Sequence, residues 1–308
     1  MAEALWVAPG RAWLQHEVLP APSRDQVVVT ATHSGISRGT EALVFRGGVP
    51  ESEWERMRCP HQAGRFPGPV KYGYASVGLA EGARVFCLHP HQDRYVVPRD
   101  AVLPIPDAVP SERAVLAANC ETALNALWDL GELPNRVLVI GGGVVGLLTG
   151  WVLAQHTAVQ LCDVSPERAD IAQALGMDFA TPDTAWRELD TVVHASGTAS
   201  GLRQALDACG FEGTVLELSW YGDAEVGVPL GGAFHARRLT LRASQVGAVA
   251  PARRATTTHR DRLNEALSRL TDPALDRLLD GHGRFSDLPD DLARLAASPG
   301  PLCHVVHY

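Results

Sequence analysis

The stretch VLVIGGGVVG, residues 137–146, decides the fold of this 308-residue chain. An apolar run that favours a buried strand leads into Gly141, Gly143 and Gly146, in the spacing G-x-G-x-x-G. The first glycine permits a tight turn, the second lets the backbone approach a pyrophosphate, and the third lets a helix pack closely on the strand. The stretch therefore predicts a strand, a turn and a helix that together bind a dinucleotide.

The residues around the motif support this interpretation over a strand–helix turn that binds nothing. A helix beginning near Val144 would present the free N–H groups of its first turn, including that of Val145, to phosphates. A second strand is predicted to end at Asp163, about 20 residues beyond the turn. A carboxylate there accepts hydrogen bonds from the adenosine ribose and repels a 2′-phosphate, which favours NAD(H) over NADP(H). Arg168 nearby would suit a phosphate instead.

The pattern of strands and helices changes twice along the chain. Short β-like runs separated by Gly and Pro fill the first hundred residues, at 26–35, 76–88 and 94–98. A helix at 111–131 leads into alternating strands and helices, with later strands at 191–197, 214–222 and 239–244. This alternation implies a parallel sheet with helices on its faces. Helices at 259–270 and 288–297 and a last strand in LCHVVHY follow.

Composition limits the class of partner and compartment. The net charge of −8 and pI near 5.8 argue against nucleic acid, which requires a basic surface. No apolar run approaches the length of a membrane span, and the N-terminus lacks a signal-peptide pattern. The six cysteines form no CxxC pair, which suits reduced thiols in the cytoplasm. We expect a cytoplasmic protein with a small-molecule substrate, no nucleic-acid partner and no membrane partner.

Several segments resemble the medium-chain dehydrogenase/reductase superfamily, and the resemblance covers essentially the whole chain. Three of them resemble the segments that carry the catalytic-zinc ligands of zinc-dependent members: SGISRGTEALVFRGG (34–48), KYGYASVG (71–78) and AANCETALNAL (117–127). Three more resemble later coenzyme-domain segments: HASG (194–197), ELSWYG (217–222) and LRASQVG (241–247). The ending SPGPLCHVVHY resembles the strand by which the tail rejoins the catalytic domain.

The resemblance implies an α/β fold of two domains. A Rossmann domain with a doubly wound parallel sheet would span 118–252 and bind NAD(H). A GroES-like, β-rich catalytic domain would be built from 1–117 and 253–308. The substrate would bind in the cleft between the domains, and the chain would form a homodimer or homotetramer through the Rossmann domain.

The chain departs from the zinc-dependent pattern at all three ligand positions. Where the family has Cys, His and Cys, this chain has Ser37 (or Arg38, if the alignment shifts by one residue), Tyr74 and Ala118. Catalytic zinc needs three ligands from Cys, His or carboxylate groups. The lobe that carries four structural-zinc cysteines is also missing, so we expect neither a catalytic nor a structural zinc. Four histidines show no metal-like spacing, and surface or capping roles are expected for them: His33, His61, His89 and His91.

Without zinc, hydrogen bonding and proton relay must manage charge on the substrate oxygen. Tyr74 is a candidate donor, because a phenol with a reference pKa near 10 serves more readily as a neutral donor than as a base. The alternative is that Tyr74 fills the space of the metal. Ser37 is a second donor, or a turn hydroxyl, and His91 is the proton-relay candidate. Pairing of Lys71 with Tyr74 is doubtful, since residues three apart in a strand point to opposite faces.

Two further cofactor contacts follow from the resemblance. Arg38 stands where some members carry an arginine for the coenzyme pyrophosphate, and Ser196 lies in a coenzyme-domain segment. Trp220 and Tyr221 fall near the expected nicotinamide end, where they would either line the cleft or pack in the core.

The function implied is a zinc-independent, NAD(H)-dependent oxidoreductase that interconverts a secondary alcohol and a ketone. Within the family, GISRGTE and a GY in place of GHE resemble the branch that contains bacteriochlorophyllide a dehydrogenase. Two alternatives stay open. One is a quinone or enone reductase of the same superfamily, and the other is a non-catalytic nucleotide-binding protein.

Overall fold

The structure is a computed structural model that describes residues 1–297 and 300–308. The first two residues of the closing segment SPGPLCHVVHY therefore lie outside the described residues. The chain forms two compact units. The first, called here the catalytic unit, comprises 1–118, 222–224 and 267–308, and the second, the Rossmann unit, comprises 119–221 and 225–266.

Fifteen strands and eight α-helices are found in the described residues. The strands are β1 Ala2–Ala8, β2 Arg11–Glu17, β3 Gln26–Ile36, β4 Ser76–Ala80, β5 Ala83–Cys87, β6 Arg94–Pro98, β7 Val102–Pro104, β8 Arg136–Ile140, β9 Ala158–Cys162, β10 Asp178–Ala180, β11 Leu189–His194, β12 Cys209–Glu217, β13 Thr240–Ala243, β14 Gly281–Arg284 and β15 His304–His307. The helices are α1 Arg38–Arg46, α2 Ser111–Ala114, α3 Ala117–Leu130, α4 Val144–Ala154, α5 Ala169–Ala174, α6 Ala199–Ala208, α7 His259–Arg269 and α8 Leu288–Ala297.

The Rossmann unit is built on a six-stranded sheet whose strands all pair in parallel. Its order is β10-β9-β8-β11-β12-β13, which is 3-2-1-4-5-6 when the strands are numbered within the unit. This is the doubly wound order, and the direction of winding reverses between β8 and β11. Its central strands are apolar on both faces because helices cover them, as in β8, where the last four of five residues are buried.

The catalytic unit contains a seven-stranded sheet and a separate hairpin. The sheet order is β14-β15-β3-β4-β5-β7, with β6 paired to β3, and the hairpin is β1-β2. Strand β15 pairs antiparallel with β3 and parallel with β14, so the tail of the chain completes a sheet that the first hundred residues begin. Val29, Cys87 and Val97 are the most buried members of one apolar cluster in this unit. The predicted fold class, a Rossmann sheet plus a β-rich domain, is confirmed.

The unit boundaries differ from the predicted domain limits of 118–252 and 253–308. Residues 253–266 belong to the Rossmann unit. The buried Arg262 of α7 explains this, because its Nε donates to Glu121 Oε1 at 2.9 Å and holds α7 to α3. Residues 222–224 join the catalytic unit, where the Asp223 amide donates to the Gly48 carbonyl oxygen at 3.1 Å.

Within the described part of the chain, no helix combines the length and the apolar character needed to cross a bilayer.

Candidate functional site

The glycine turn follows β8 at the point where the sheet reverses. Gly141 has φ +109°, and a Cβ there would come within 2.6 Å of the Ser196 backbone nitrogen. A Cβ on Gly146 would meet the Gly141 carbonyl oxygen, so only glycine lets α4 start so close to β8. At Gly143, by contrast, no atom of the described residues lies within 4 Å of an added Cβ. The turn thus has two crowded glycines and one that faces open space, as backbone approach to a pyrophosphate requires.

Helix α4 offers its N-terminus beside that open space. Gly143 is the N-cap, with no side-chain capping bond, and the Leu147 amide donates to the Gly143 carbonyl oxygen at 2.9 Å. The amides of Val144, Val145 and Gly146 precede this first helical bond, so they are available to an anion. The residues present therefore fit a dinucleotide pyrophosphate.

Asp163 stands directly after β9 and faces the turn. Its Oδ2 accepts the Gly142 amide at 2.5 Å, and its Oδ1 accepts the Ser165 amide at 2.8 Å. These bonds fix the carboxylate beside the glycines, and each oxygen keeps accepting capacity for a ribose hydroxyl. The Arg168 side chain also approaches Gly142, since an added Cβ there would lie 3.0 Å from Arg168 Cγ. The structure thus places at the turn both Asp163 and Arg168, the two residues that the sequence analysis linked to the choice between NAD(H) and NADP(H).

A polar cluster at the carboxyl ends of β11 and β12 lies next to the turn. Nδ1 of the buried His194 donates to Glu217 Oε2 at 2.8 Å, and Nε2 lies 2.6 Å from Ser196 Oγ. Although burial opposes ionisation, the hydrogen bond from His194 and its charge lower the pKa of Glu217. The Tyr221 hydroxyl donates to Glu217 Oε2 at 3.2 Å. Sequence reasoning found Ser196 and Tyr221 but missed His194 and Glu217, although both stand in the HASG and ELSWYG segments.

In the catalytic unit, Tyr74 lies against the hydroxyls of Ser37 and Thr40. Burial and the nearby Glu41 raise the pKa of Tyr74 to about 12, and the two hydroxyls oppose that rise only in part. The phenol therefore keeps its proton at neutral pH. The structure brings together two predicted residues, Tyr74 and Ser37, and adds Thr40, which the sequence analysis did not single out.

Glu41 is the centre of a buried chain of hydrogen bonds behind Tyr74. Its Oε1 accepts the amide of Ser37, the N-cap of α1, at 2.8 Å, and its Oε2 contacts His91 Nε2 at 2.8 Å. On the other side of the ring, His91 Nδ1 lies 2.7 Å from Ser34 Oγ, which lies 3.0 Å from the Tyr308 hydroxyl. With Glu41 ionised, His91 donates through Nε2, because a carboxylate only accepts. His91 is thus buried and held within the protein, which a surface or capping role would not require.

The remaining predicted residues have clear neighbours. Arg38 begins α1, and its Nη1 donates to the Gly300 carbonyl oxygen at 3.3 Å. Lys71 donates to Glu17 Oε2 at 2.7 Å, in line with its doubtful pairing with Tyr74. His89 is buried with its ring stacked 3.6 Å from that of Tyr95, and His61 stacks on His89. His89 is therefore a core side chain rather than the surface or capping histidine expected.

The three positions of the catalytic-zinc ligands do not fit a metal. Ser37 offers a hydroxyl, Tyr74 a phenol whose pKa is about 12, and Ala118 a methyl group. None supplies the thiolate, imidazole or carboxylate that zinc requires. The six cysteines are all buried and free, so none is paired in the described structure.

Comparisons with known proteins agree with this geometry. No family model matches the chain. It is 29% identical over 116 residues to L-threonine 3-dehydrogenase of Rhizobium etli (strain CIAT 652), covering 37% of this chain and 33% of that protein. It is 33% identical over 154 residues to 2-desacetyl-2-hydroxyethyl bacteriochlorophyllide A dehydrogenase of Cereibacter sphaeroides, covering 44% of this chain and 47% of that protein. The chain thus matches between a third and a half of the length of these two relatives.

Among solved structures, L-idonate 5-dehydrogenase of Escherichia coli shares the fold. The superposition has a TM-score of 0.80 and 16% sequence identity, and it covers 100% of this chain and 98% of the other. The sequence relatives, the glycine turn and the pairing of a doubly wound sheet with a β-rich unit confirm the predicted resemblance to the medium-chain dehydrogenase/reductase superfamily.

Proposed function

We propose that the chain is a zinc-independent, NAD(H)-dependent oxidoreductase that interconverts a secondary alcohol and its ketone. The observation that carries the proposal is the Tyr74 phenol, held against Ser37 and Thr40 where the resemblance places a zinc ligand. A preorganised donor aimed at a substrate oxygen can replace a Lewis acid in stabilising the charge that develops there. Bound NAD(H) would supply or accept the hydride.

Tyr74 is suited to donate rather than to abstract a proton. Its pKa of about 12 keeps the phenol protonated at neutral pH, so it can hydrogen-bond a carbonyl oxygen before hydride transfer. An alkoxide is more basic than a phenolate with that pKa, so the proton moves to the product oxygen when the ketone is reduced. Ser37 and Thr40 donate hydrogen bonds to the transient phenolate, and oxidation of the alcohol runs through the same steps in reverse.

His91 acts in this proposal through Glu41 rather than on the substrate. Both ring nitrogens of His91 are engaged by protein groups, and the ring is buried. The chain from Tyr308 through Ser34 and His91 fixes Glu41, whose charge beside Tyr74 contributes to the raised phenol pKa. His91 is therefore proposed as a positioning residue, in place of the proton-relay role expected from the sequence.

The cofactor assignment rests on the glycine turn and Asp163. The turn and the first amides of α4 suit the pyrophosphate, and the fixed Asp163 carboxylate suits the adenosine ribose of NAD(H) and disfavours NADP(H). Ser196, beside Gly141, is proposed as a further cofactor contact. Arg38 remains proposed as a pyrophosphate partner. A homodimer or homotetramer is the proposed assembly, and the cytoplasm the proposed location.

The substrate class is supported by the names of the two sequence relatives. Both are named as dehydrogenases, and the second name specifies a hydroxyethyl group in place of an acetyl group; the alcohol that corresponds to an acetyl ketone is secondary. The alignment with that second relative covers 44% of this chain, so it supports the chemistry and not the particular substrate.

The test is NADH oxidation by the EDTA-treated protein with matched pairs of saturated ketones and enones. We expect turnover of ketones that is unchanged by the chelator and faster with NADH than with NADPH. Turnover of enones alone would show hydride delivery to a β-carbon, which contradicts the proposal. Tight NADH binding without turnover of either class would leave a nucleotide-binding protein that is not an enzyme.

A further inference from the structure

His33, Glu112 and His307 come together at the surface of the catalytic unit, on three different elements. One ligand atom from each lies within 4.8 Å of those of the other two, and this is the one such group of three in residues 1–297 and 300–308. His33 is on β3 and His307 on β15, where they are direct cross-strand partners. Glu112 stands in the first turn of α2. The three residues share no position with the site around Tyr74.

A β-bulge helps to present His33. The register of β3 against β4 shifts between Ala31 and His33, which makes Thr32 the extra residue. Bulges of this kind redirect the neighbouring side chain. The Thr32 hydroxyl donates to the Val77 carbonyl oxygen at 3.3 Å, so its only proton is already used.

This use of the Thr32 proton favours one tautomer of His33. Its Nδ1 lies 3.0 Å from Thr32 Oγ1, and when the hydroxyl proton is directed to Val77 it is Nδ1–H that donates to the hydroxyl oxygen. A neutral His33 then carries its lone pair on Nε2. In metal-bound histidine, one ring nitrogen usually donates to a protein acceptor, and the other binds the metal through its lone pair.

The spacing of the ligand atoms suits a small metal ion. His307 Nε2 lies 3.7 Å from Glu112 Oε1 and 3.2 Å from Nδ1 of His282 on β14. Around tetrahedral zinc, with bonds of about 2.0–2.1 Å, neighbouring ligand atoms are about 3.3–3.4 Å apart. One of the two distances is shorter than that value and the other is longer. The side chains are partly exposed and can rotate, which would bring the ligand atoms to the spacing that zinc requires. His282 stands within reach of the fourth position.

We propose that His33, Glu112 and His307 bind a divalent transition metal, zinc in the first instance, with His282 beside the fourth coordination position. Two imidazoles and one carboxylate are ligands that zinc accepts, and imidazole also suits Co²⁺ and Ni²⁺. Because the ligands come from β3, β15 and α2, the metal links the last strand of the chain to the sheet and to a helix. Its role is to stabilise the catalytic unit rather than to assist hydride transfer, so this metal would be structural, contrary to the expectation from the sequence that the chain holds no structural zinc.

The test uses the full-length protein stripped with EDTA and dialysed. Co²⁺ is titrated and followed by its visible absorption, which reports tetrahedral coordination, and Zn²⁺ is titrated in competition with a chromogenic chelator. Wild type is compared with H33Q, E112Q and H307Q. The matched control is H156Q, which removes an exposed histidine that follows α4 in the other unit. Far-UV circular dichroism of each metal-free variant checks folding.

We expect one metal per chain in wild type and in H156Q, with at least a tenfold loss of affinity in each of the three ligand variants. Saturating Zn²⁺ should raise the Tm of wild type and H156Q but not of E112Q, because a metal that binds only the folded state stabilises it. Absence of 1:1 binding at micromolar metal would overturn the proposal, as would wild-type affinity in folded E112Q and H307Q. These readouts do not depend on enzyme activity, so they are independent of the proposed function.

Discussion

Nε2 of His91 lies 2.8 Å from Oε2 of Glu41, and the two side chains are only 1% and 4% exposed. Such a pair is costly to break, because removal of one partner leaves the other buried without compensation. Glu41 of this pair also lies close enough to Tyr74, the proposed donor, to raise the pKa of its phenol. It therefore links the stability of the catalytic unit to the geometry of its candidate site.

Glu41→Gln and His91→Gln should each lower the free energy of unfolding by about 3 kcal/mol, because each leaves a buried partner unpaired. The double variant should lose less than the sum, since both changes remove the same interaction. Urea unfolding followed by circular dichroism measures this. Glu81→Gln, in the exposed pair with Arg99, is the control and should not change stability measurably. Additive losses would show that the two side chains act independently.

Tyr74→Phe should lower kcat for ketone reduction by about 100-fold, the effect of removing one preorganised donor to a developing oxyanion. The KM for NADH should stay unchanged, because the dinucleotide is proposed to bind elsewhere. Tyr72→Phe is a matched control, since Tyr72 is a buried neighbour whose ring packs edge-on 6.2 Å from that of Tyr74. An unchanged kcat in Tyr74→Phe would make Tyr74 a space-filling residue.

Gly143→Ala and Gly146→Ala should both weaken dinucleotide binding, but only Gly146→Ala should also lower stability. An alanine Cβ at Gly143 meets no described atom, so the fold should tolerate it while dinucleotide affinity falls at least tenfold. At Gly146 the Cβ meets the Gly141 carbonyl oxygen, so stability should fall as well. NADH titration by fluorescence and thermal unfolding separate the two effects, with Gly227→Ala as the unhindered control. Unaltered NADH affinity in Gly143→Ala would show that the pyrophosphate does not bind at this turn.

Asp163→Asn should reduce the preference for NADH over NADPH by about tenfold, because the charge that repels a 2′-phosphate is lost. The ratio of kcat/KM for the two cofactors measures the effect. Asp178→Asn, an exposed change on β10, is the control. A preference that does not move would assign the discrimination to another residue, with Arg168 the nearest candidate.

His89 should make the protein less stable in acid. Burial lowers its pKa from 6.5 to about 3, so below pH 6.5 the unfolded chain binds a proton that the folded protein excludes. The contribution to stability is therefore complete above pH 6.5 and falls by about 1.4 kcal/mol per pH unit between 6.5 and 3. His89→Phe keeps a ring stacked on Tyr95 and should flatten this slope in urea unfolding at pH 6 and pH 4. H156Q should keep the wild-type slope, and an identical slope in His89→Phe would show that His89 is protonated in the fold.

Local patterns in the sequence predicted many of the elements well. The strand at 94–98 and the helix at 288–297 match β6 and α8 to the residue, because alternation and helical spacing are local signals. The hairpin β1-β2 was not predicted, although Pro9 and Gly10, with φ +75° at the glycine, form its turn. Helix α1 was missed as well, since Gly39 weakens its local helix signal.

Residues far apart in sequence account for what could not be predicted. Glu41 is one acid among many until the fold brings it to His91, 50 residues away. The contact of Ser34 with Tyr308 spans 274 residues, and the cluster of His33 and His307 depends on the same strand pairing. Spacing along the chain carries no trace of such contacts. The glycine turn was accessible because its chemistry lies within one short segment.

The pairing of β15 with β3 also bears on how the chain folds during synthesis. The Rossmann unit draws on residues 119–266 apart from a three-residue excursion, so it can form as soon as that part of the chain has left the ribosome. The seven-stranded sheet cannot close until residues 304–307 arrive beside a strand made some 270 residues earlier. Until then residues 33–36 of β3 have no partner on the side that β15 will occupy, while β6 pairs with residues 26–30. Such an unpaired edge is the kind of surface that chaperones shield and that seeds aggregation. A nascent catalytic unit should therefore depend on chaperones longer than its Rossmann partner does.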